Sequence, residues 1–492
     1  MKKYIFITAT SMALFSAIFV SCSDNFTERD IEYSINSESY FNSKDDYEKA
    51  LVGAYDMLQS TYINVLMGEI ASDNALAGGE SATDTPGFQQ IDDMTHTPVN
   101  SNLKNLWDWM FAGVQRANYI LEFKDKTNFD GKTQIIAEAR FLRAYYHFEL
   151  VKWFGGIPLN GDKRFVSGDE AKLPRASVAD VYASIESDLI YAAANLSPDP
   201  IQKGRATKGA ALALLGKAYL YENKFSEAAV ALEQIITPVK YSLVTDYASI
   251  FEMEGENGPE SIFEVQYSEA EGAGYTCLQC SEGNIAVGFS GIRSYTGPKY
   301  SSGFSFNVPT KETHDAFEVG DLRQDASVLD IVAWAAANDA TYGKGNEDTG
   351  YFNQKYLPRK RNSDAANDLN LTNPNNYRAI RYADVLLMAA EALNRGGIDD
   401  AKALGYLNEV RDRAFGDTNH RISLTGTALT AAIWKERRVE FVGEGLRFFD
   451  LVRTGKAAAA ISGFVVGKHE LFPIPIEEIQ FSNGNWKQNP EY

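Results

Sequence analysis

Two consecutive helices near the C-terminal end constrain the fold of this chain more than any other stretch. Residues 378–415 read RAIRYADVLLMAAEALNRGGIDDAKALGYLNEVRDRAF. Apolar residues recur at helical spacing from 382 to 394, and the glycine pair at 396–397 ends this helix because glycine readily adopts the left-handed conformation. The aspartate pair at 399–400 favours the start of a second helix with an apolar stripe of its own. One hairpin cannot cover both of its faces, so we expect further hairpins in the chain.

Further helical hairpins are predicted in the first half of the chain. Ser43 can cap a helix with two aspartates in its first turn, and apolar residues at steps of three and four predict helices from Leu103 to Trp153. The stretch from Leu212 to Pro238 follows the tetratricopeptide pattern at Leu215, Gly216, Tyr219, Phe225, Ala228 and Leu232. The chain is therefore predicted to be mostly α-helical and built from tetratricopeptide-type hairpins.

Two stretches lack this helical period. Residues 61–100 are rich in Gly, Asp, Ser and Pro and are predicted to form a long loop. Residues 241–377 hold short alternating runs such as Ile262–Tyr267, which predict a few short strands in a loop-rich region. Long loops inside a compact protein are usually functional. By contrast, Trp434 to Arg453 is predicted to be one helix, held against its neighbours by i,i+3 ion pairs of Arg437 with Glu440, Glu444 with Arg447, and Asp450 with Arg453.

The N-terminus is typical of a secreted protein. Lys2 and Lys3 precede an apolar run that ends at Ser21 and Cys22. The sequence Phe-Val-Ser-Cys at 19–22 resembles a bacterial lipobox, so we expect cleavage before Cys22 and a lipid anchor on this residue. An uncleaved membrane anchor is the alternative. The net charge of −19 argues against a nucleic-acid partner, because such a partner requires a basic face.

The remaining cysteines, Cys277 and Cys280, form a CxxC motif. Zinc needs about four ligands, and the surrounding sequence supplies no further Cys or His pair. A redox-active motif would require a thioredoxin-like βαβ context, which this glycine-rich region lacks. A local disulfide and a pair of free thiols remain as interpretations.

Several segments together resemble the RagB/SusD family. They are the lipobox, AYDML at 54–58, LWDWMFAGVQRANYIL from 106, RYADVLLMAAEALN, ERRVEFVGEGLRFFDLVRTG, LFPIP at 471–475 and QNPEY at 488–492. The resemblance spans almost the whole chain, in order. It implies a SusD-like fold in which a tetratricopeptide half supports an irregular half. The corresponding division is a signal peptide at 1–21 and a mature protein at 22–492, with helical parts at 38–240 and 378–492 flanking a loop-rich insertion at 241–377.

The resemblance also implies a function. Family members are non-enzymatic lipoproteins of the outer membrane that face the cell exterior and capture oligosaccharide or polysaccharide for a SusC-like TonB-dependent transporter. The family motifs belong chiefly to the scaffold, so they do not locate the sugar. No cofactor is implied, and whether Ca²⁺ is bound is left open.

A sugar site needs exposed aromatic planes beside polar side chains, because sugars combine apolar C–H faces with hydroxyl groups. Two loop regions meet this requirement. The first offers Asp73, Asn74 and Phe88, although the two polar residues could equally cap a turn. The second offers Tyr275, Arg293, Tyr295, Tyr300 and Phe304, any of which could instead belong to the core. Trp334 is predicted to be buried in a helix, and His96 to be structural.

Two other functions remain as alternatives. A glycoside hydrolase needs only two suitably placed carboxylates, but no pair is distinguished by the sequence. A protein-interaction or peptide-binding scaffold would explain the tetratricopeptide-type repeats, but it would not need so long a loop-rich insertion. We therefore expect a lipid-anchored protein that binds a neutral glycan.

Overall fold

The computed structural model describes residues 40–361 and 368–492. Cys22 and the signal peptide lie outside these residues, so the expectations for them stay predictions. The helices are α1 Lys44–Asp56, α2 Tyr62–Ile70, α3 Pro86–Asp92, α4 Ser101–Glu122, α5 Lys132–Phe154, α6 Val178–Asn195, α7 Lys208–Tyr221, α8 Phe225–Ile236, α9 Ile285–Ser290, α10 Lys311–His314, α11 Arg323–Ser327, α12 Ile331–Asn338, α13 Tyr382–Arg395, α14 Asp400–Phe415, α15 Gly426–Glu440, α16 Arg447–Arg453, α17 Ala457–Ala460 and α18 Ile476–Phe481. The strands are β1 Ala75–Leu76, β2 Ser261–Val265, β3 Ile292–Arg293, β4 Ser302–Gly303, β5 Val308–Pro309, β6 Val328–Asp330, β7 Tyr351–Asn353 and β8 Tyr377–Arg381.

The long helices form one continuous array, which confirms the mostly α fold. Helices α4 to α8 pack consecutively against one another, and α13 then packs on α8 and continues the array with α14 and α15. The α7–α8 hairpin requires close approach of its two backbones, since a Cβ on Gly216 would lie 2.5 Å from Leu232 Cγ. At the start of the array, Ser43 caps α1 in a capping box with Asp46, as predicted.

The loop-rich stretch leaves and rejoins the array through one antiparallel strand pair. Strand β2 pairs with β8, with Ser261 opposite Arg381 and Val265 opposite Tyr377. The predicted strand at 262–267 is therefore present as β2. The other strands within the described residues form three more two-stranded pairs, β1–β5, β3–β4 and β6–β7. The stretch thus consists mainly of loops, as its composition predicted.

The prediction of one long loop over residues 61–100 is wrong. Helix α2 begins at Tyr62, and all nine of its residues are buried. A helix that is buried on every side has no contrast between an apolar and an exposed polar face, so the search for a periodic stripe missed it. Helix α3 also lies in this stretch and starts at Pro86, a favoured first helical position.

The prediction of one helix from Trp434 to Arg453 is also wrong, because the chain turns between α15 and α16. Gly443 and Gly445 have φ angles of +80° and +76°, and their backbone N–H groups donate to the buried Glu69 carboxylate at 2.8 and 2.9 Å. Of the three expected ion pairs, Asp450 with Arg453 forms at 2.8 Å. Arg437 instead binds Asp384 of helix α13 at 2.7 Å, so ion pairs do hold this region against its neighbours.

A buried ion cluster connects the helical array to the loop-rich stretch. It comprises the cations Arg323, Lys355, Arg381 and Arg413 and the carboxylates Asp321, Glu260, Glu436, Glu440 and Glu444. Glu440 is fully buried and contacts three of the arginines, Arg323, Arg381 and Arg413, at 2.6 to 2.9 Å. Burial raises the pKa of Glu440, but these arginines lower it by more, to well below its usual range. The carboxylate is therefore ionised in the folded protein.

No helix among the described residues has the length and apolar character needed to cross a membrane.

Candidate functional site

An open groove with a volume of about 420 Å³ lies where helix α4 meets the loop-rich stretch. We call it the aromatic groove. Its aromatic lining residues are Tyr62, Phe88, Tyr275, Phe289, Phe304 and Phe306, and its polar lining residues include Glu80, Asp84, Asn102, Asn105 and Arg293. The groove thus combines ring faces with hydrogen-bonding groups, the two features that a sugar site requires.

The rings of the groove support one another in a chain of edge-to-face contacts. Tyr275 lies 6.3 Å from Phe304, which lies 5.8 Å from Phe289, and Phe289 contacts both Phe88 and Phe306. Tyr275 is 55% exposed and Phe304 is half-buried, whereas Phe88 is buried. The buried rings therefore form the floor, and Tyr275 and Phe304 present free ring surface to a ligand.

Arg293 is held in place at the rim by contacts on both sides. Strand β3 pairs with β4, which brings its guanidinium to the Phe304 carbonyl at 3.0 Å. The guanidinium also lies 3.5 Å from the carboxylate of Asp84 and 3.8 Å from that of Glu80. The positive charge is thus balanced locally, and the rim presents both a cationic hydrogen-bond donor and anionic acceptors.

Two asparagines on the first turns of helix α4 contribute amides to the groove. The side chain of the N-cap residue Asn100 accepts hydrogen bonds from the backbone N–H groups of Asn102 and Leu103, which fixes the start of the helix. Asn102 is 8% exposed, and its amide nitrogen has no hydrogen-bond partner among the described residues. Buried donors are rarely left unpaired. This nitrogen is shielded from solvent, so a ligand in the groove would meet it only after the Asn102 side chain turns outward. Sequence reasoning missed both asparagines, although an i,i+3 pair beside a suspected ligand loop could have indicated them.

The structure brings together four of the residues singled out from the sequence. Phe88, Tyr275, Arg293 and Phe304 all line the aromatic groove, although Phe88 does so as part of its buried floor.

Asp73 and Asn74 lie elsewhere and use their polar groups within the protein. Asp73 accepts two hydrogen bonds from Arg447, at 2.7 and 2.9 Å. Burial raises the pKa of Asp73, but Arg447 and the neighbouring Arg438 together lower it by more, so the pKa is below its usual value. Asn74 is fully buried and donates to Glu69 at 3.2 Å. The structure thus gives both residues structural contacts, contrary to the expectation of an exposed loop.

Tyr295 and Tyr300 belong to a second, small core. Tyr295 donates its hydroxyl to the Pro298 carbonyl at 2.7 Å, and Tyr300 is fully buried with its ring 5.2 Å from Trp334. Neither side chain presents free ring surface, contrary to expectation. Trp334 was predicted to be buried in a helix, but it is half-buried on the short helix α12 and donates to the Tyr295 hydroxyl at 3.0 Å.

The structure also shows the state of the CxxC motif and the surroundings of His96. Cys277 and Cys280 form a disulfide. His96 is buried, with its Nε2 atom 2.8 Å from the Tyr492 hydroxyl and its ring stacked on Phe472. Burial lowers the pKa of His96 to about 3, so the ring is neutral and structural, as predicted. No group of three or more His, Cys, Asp or Glu side chains in residues 40–361 and 368–492 could hold a metal ion.

Comparisons with known proteins agree with this architecture. A profile of the SusD family matches residues 330–470, and a profile described as starch-binding and associating with the outer membrane matches residues 27–220. A solved structure of a laminarin-binding SusD-like protein is 35% identical, with a TM-score of 0.83 over 92% of this chain and 100% of that chain.

Two further relatives extend the comparison. Surface glycan-binding protein A from Bacteroides thetaiotaomicron, solved in complex with laminarihexaose, is 28% identical, with a TM-score of 0.80 over 91% of this chain and 99% of that one. The SusD-like protein P38 of Formosa agariphila is 28% identical over 93% of both chains. The fold is that of a helical-repeat scaffold with a loop-rich insertion. The chain belongs to the SusD/RagB family.

Proposed function

We propose that the protein is a lipoprotein of the outer cell surface that captures oligosaccharide or polysaccharide in the aromatic groove. Lipidation of Cys22 would attach it to the outer membrane. A SusC-like TonB-dependent transporter would then receive the captured glycan. The observation that carries the proposal is the exposed ring of Tyr275 in a groove that also holds the half-buried ring of Phe304 and the side-chain amides of Asn102 and Asn105.

The groove favours a neutral glycan. Among the described residues, Arg293 is the one cation that lines the groove. Its charge is balanced by the neighbouring Asp84 and Glu80, so the described lining offers no net positive charge to an acidic sugar. Ring faces and amides suit the C–H faces and hydroxyl groups of a neutral sugar. One solved relative is a laminarin-binding protein, and another was solved in complex with laminarihexaose, so a β-glucan of the laminarin type is our first candidate ligand.

The experiment measures binding of laminarin and laminarihexaose to residues 23–492 by affinity electrophoresis and calorimetry. Tyr275→Ala removes the exposed ring, and Asn102→Ala removes the unpaired donor. We expect each change to weaken binding about threefold to tenfold, because one ring contact or one hydrogen bond contributes about 0.5–1.5 kcal/mol. Phe481→Ala is the matched control, since Phe481 is an exposed aromatic outside the groove.

Three outcomes would contradict the proposal. Equal affinity of the Tyr275→Ala, Asn102→Ala and Phe481→Ala variants would place the binding site elsewhere. Absence of binding to any neutral glycan, together with binding to the transporter, would favour the interaction-scaffold alternative. Release of reducing sugar by the purified protein would instead indicate a glycoside hydrolase.

A further inference from the structure

The loop that carries Tyr275 has almost no core of its own. Between Glu269 and Cys280 only Ala273 is buried, and Tyr275, Gln279 and Cys280 are exposed. Few buried contacts therefore hold this loop to the rest of the protein. A segment with so little burial normally samples several conformations.

The disulfide compensates for this lack of packing. It joins Cys277 to Cys280 across a single turn of 3₁₀ helix at Leu278–Cys280. The Cys277 N–H donates to the Gly274 carbonyl just before this turn, and the Cys280 N–H donates to the Cys277 carbonyl within it, both at 3.2 Å. The covalent link closes the same turn as the hydrogen bonds, so it removes the open conformations available to a reduced loop.

The closed turn is attached to the protein immediately after the second cysteine. Ser281 is buried, and its hydroxyl donates to the Leu371 carbonyl at 2.6 Å. Gly283 lies against Thr372 so closely that a Cβ there would be 2.4 Å from Thr372 Cα. The position of the turn is thus fixed from its C-terminal side.

Two side chains of this loop line the aromatic groove. Leu278 lies between the two cysteines, and Tyr275 lies two residues before the first. Tyr275 reaches Phe304 across the groove at 6.3 Å. The other rings of the groove lie on buried segments. This loop is therefore the part of the groove whose conformation depends on closure of the turn by the disulfide.

We propose that the Cys277–Cys280 disulfide is a positioning element of the aromatic groove, which orders Tyr275 and Leu278 for glycan and makes binding sensitive to reduction. The inference rests on the proposed function. Pre-ordering raises affinity because the ligand does not bear the entropic cost of fixing the loop. Cys280 is exposed, so a reductant in solution can reach the bond.

The test compares laminarihexaose affinity of the oxidised protein, of the protein treated with a trialkylphosphine, and of the C277S/C280S double variant. The phosphine cleaves the S–S bond to two thiols, and the phosphine is oxidised to its oxide with oxygen and protons from water. We expect binding about threefold to tenfold weaker after reduction and in the double variant. The phosphine should leave the affinity of the double variant unchanged, which makes this variant the matched control.

A second measurement separates positioning from a general loss of structure. Tyr275→Ala is introduced into the oxidised protein and into the C277S/C280S background. If the disulfide acts by positioning Tyr275, the two sets of changes are non-additive, and Tyr275→Ala costs less affinity in the background without the disulfide. The melting temperature of the double variant should stay close to that of the parent, because the loop lies outside the core.

The possible failures are distinct. If the oxidised protein binds glycan and neither reduction nor C277S/C280S changes its affinity, the disulfide is not a positioning element, and the proposed function stands. If affinity falls but the Tyr275→Ala effects are fully additive, the disulfide does not act through Tyr275, and the inference is overturned. If the oxidised parent binds none of the glycans tested, the proposed function and this inference both fail.

Discussion

Glu391 illustrates how single buried charges stabilise the helical array. Its side chain is fully buried within helix α13, and Arg453 donates to both of its carboxylate oxygens at 2.7 and 2.9 Å. Arg395 contacts the same carboxylate at 2.9 Å. Burial raises the pKa of Glu391, but Arg453, Arg437 and Arg395 together lower it by more, to about 2. Since the folded pKa is depressed, the stabilisation is present above the unfolded pKa of about 4.5 and is lost as the pH falls towards 2.

Glu391→Gln should therefore change the acid sensitivity of the protein. Glutamine cannot ionise, so we expect the free energy of unfolding at pH 7 to fall by about 3 kcal/mol, the equivalent of the lowered pKa. The difference from the parent should shrink between pH 4.5 and pH 2, where the parent carboxylate also becomes neutral. Urea unfolding across this pH range measures both effects. Glu477→Gln, at an exposed position, is the control and should change stability by less than about 0.5 kcal/mol. A constant difference at all pH values would contradict the argument.

At the scale of elements, the break between α15 and α16 depends on glycine. Gly445 has a φ of +76°, and a Cβ there would lie 2.6 Å from the Val65 carbonyl oxygen of helix α2. The same turn directs two N–H groups to Glu69. The turn thus seats α16 against the buried helix α2, which a continuous helix could not do.

Comparing Gly445→Ala with Gly467→Ala should separate two free-energy costs of a side chain at this turn, the left-handed φ and the contact with Val65. A left-handed φ alone costs an L-residue about 1 kcal/mol, and forced overpacking adds about 1–3 kcal/mol. Gly467→Ala isolates the first cost, because Gly467 has a φ of +85° with nothing within 4 Å of its Cβ position. We expect Gly445→Ala to lower the free energy of unfolding by at least twice as much as Gly467→Ala. Equal losses in denaturant unfolding would show that the contact with Val65 is unimportant.

Elements with one apolar face could be predicted from the sequence, and elements without one could not. The hairpins around Leu215 and Ala389 and the cap at Ser43 follow from local periodicity and capping chemistry. Helix α2 was missed because it is buried on every side. The site was only partly predictable for a related reason. Tyr275 and Tyr300 both lie in glycine-containing loop sequences, yet tertiary packing exposes Tyr275 and buries Tyr300. The role proposed for Asn102 rests on its amide nitrogen, which has no hydrogen-bond partner in the part of the chain that the structure describes, and no local sequence pattern reveals this.

At the scale of the whole molecule, the buried ion cluster joins parts of the chain that are distant in sequence. Arg381 at the end of β8 contacts Glu260, Glu440 and Glu444, while Arg323 belongs to the loop-rich stretch. Burying so many charges is costly unless each is paired, and every member named here has an oppositely charged partner. The cluster therefore couples the stability of the loop-rich stretch to that of the array.

Glu440→Gln should leave three arginines without their shared carboxylate. Removing one partner of a buried ion pair typically costs about 3–5 kcal/mol, and we expect a loss in this range. Asp412→Asn is the control, because Asp412 pairs with the largely exposed Arg421 and should contribute less than about 1 kcal/mol. Urea unfolding measures this loss. Hydrogen exchange should show increased opening of the loop-rich stretch in the Glu440→Gln variant. A loss as small as that of the control would mean that the remaining carboxylates compensate.

The β2–β8 pair has a consequence for how proteins of this architecture diversify. The two ends of the loop-rich stretch meet at neighbouring strand positions, Val265 and Tyr377, so any replacement segment has to span only the distance between paired strands, about 5 Å. Helix α13 packs directly on α8, so the helical array continues across the point where the stretch is inserted. The stretch can therefore be exchanged as a cassette, provided that the graft retains the cluster members Asp321, Arg323 and Lys355 and the apolar residues that pack into the main core, such as Phe289 and Phe306. New ligand preferences can arise by recombination at this junction while the helical scaffold stays unaltered.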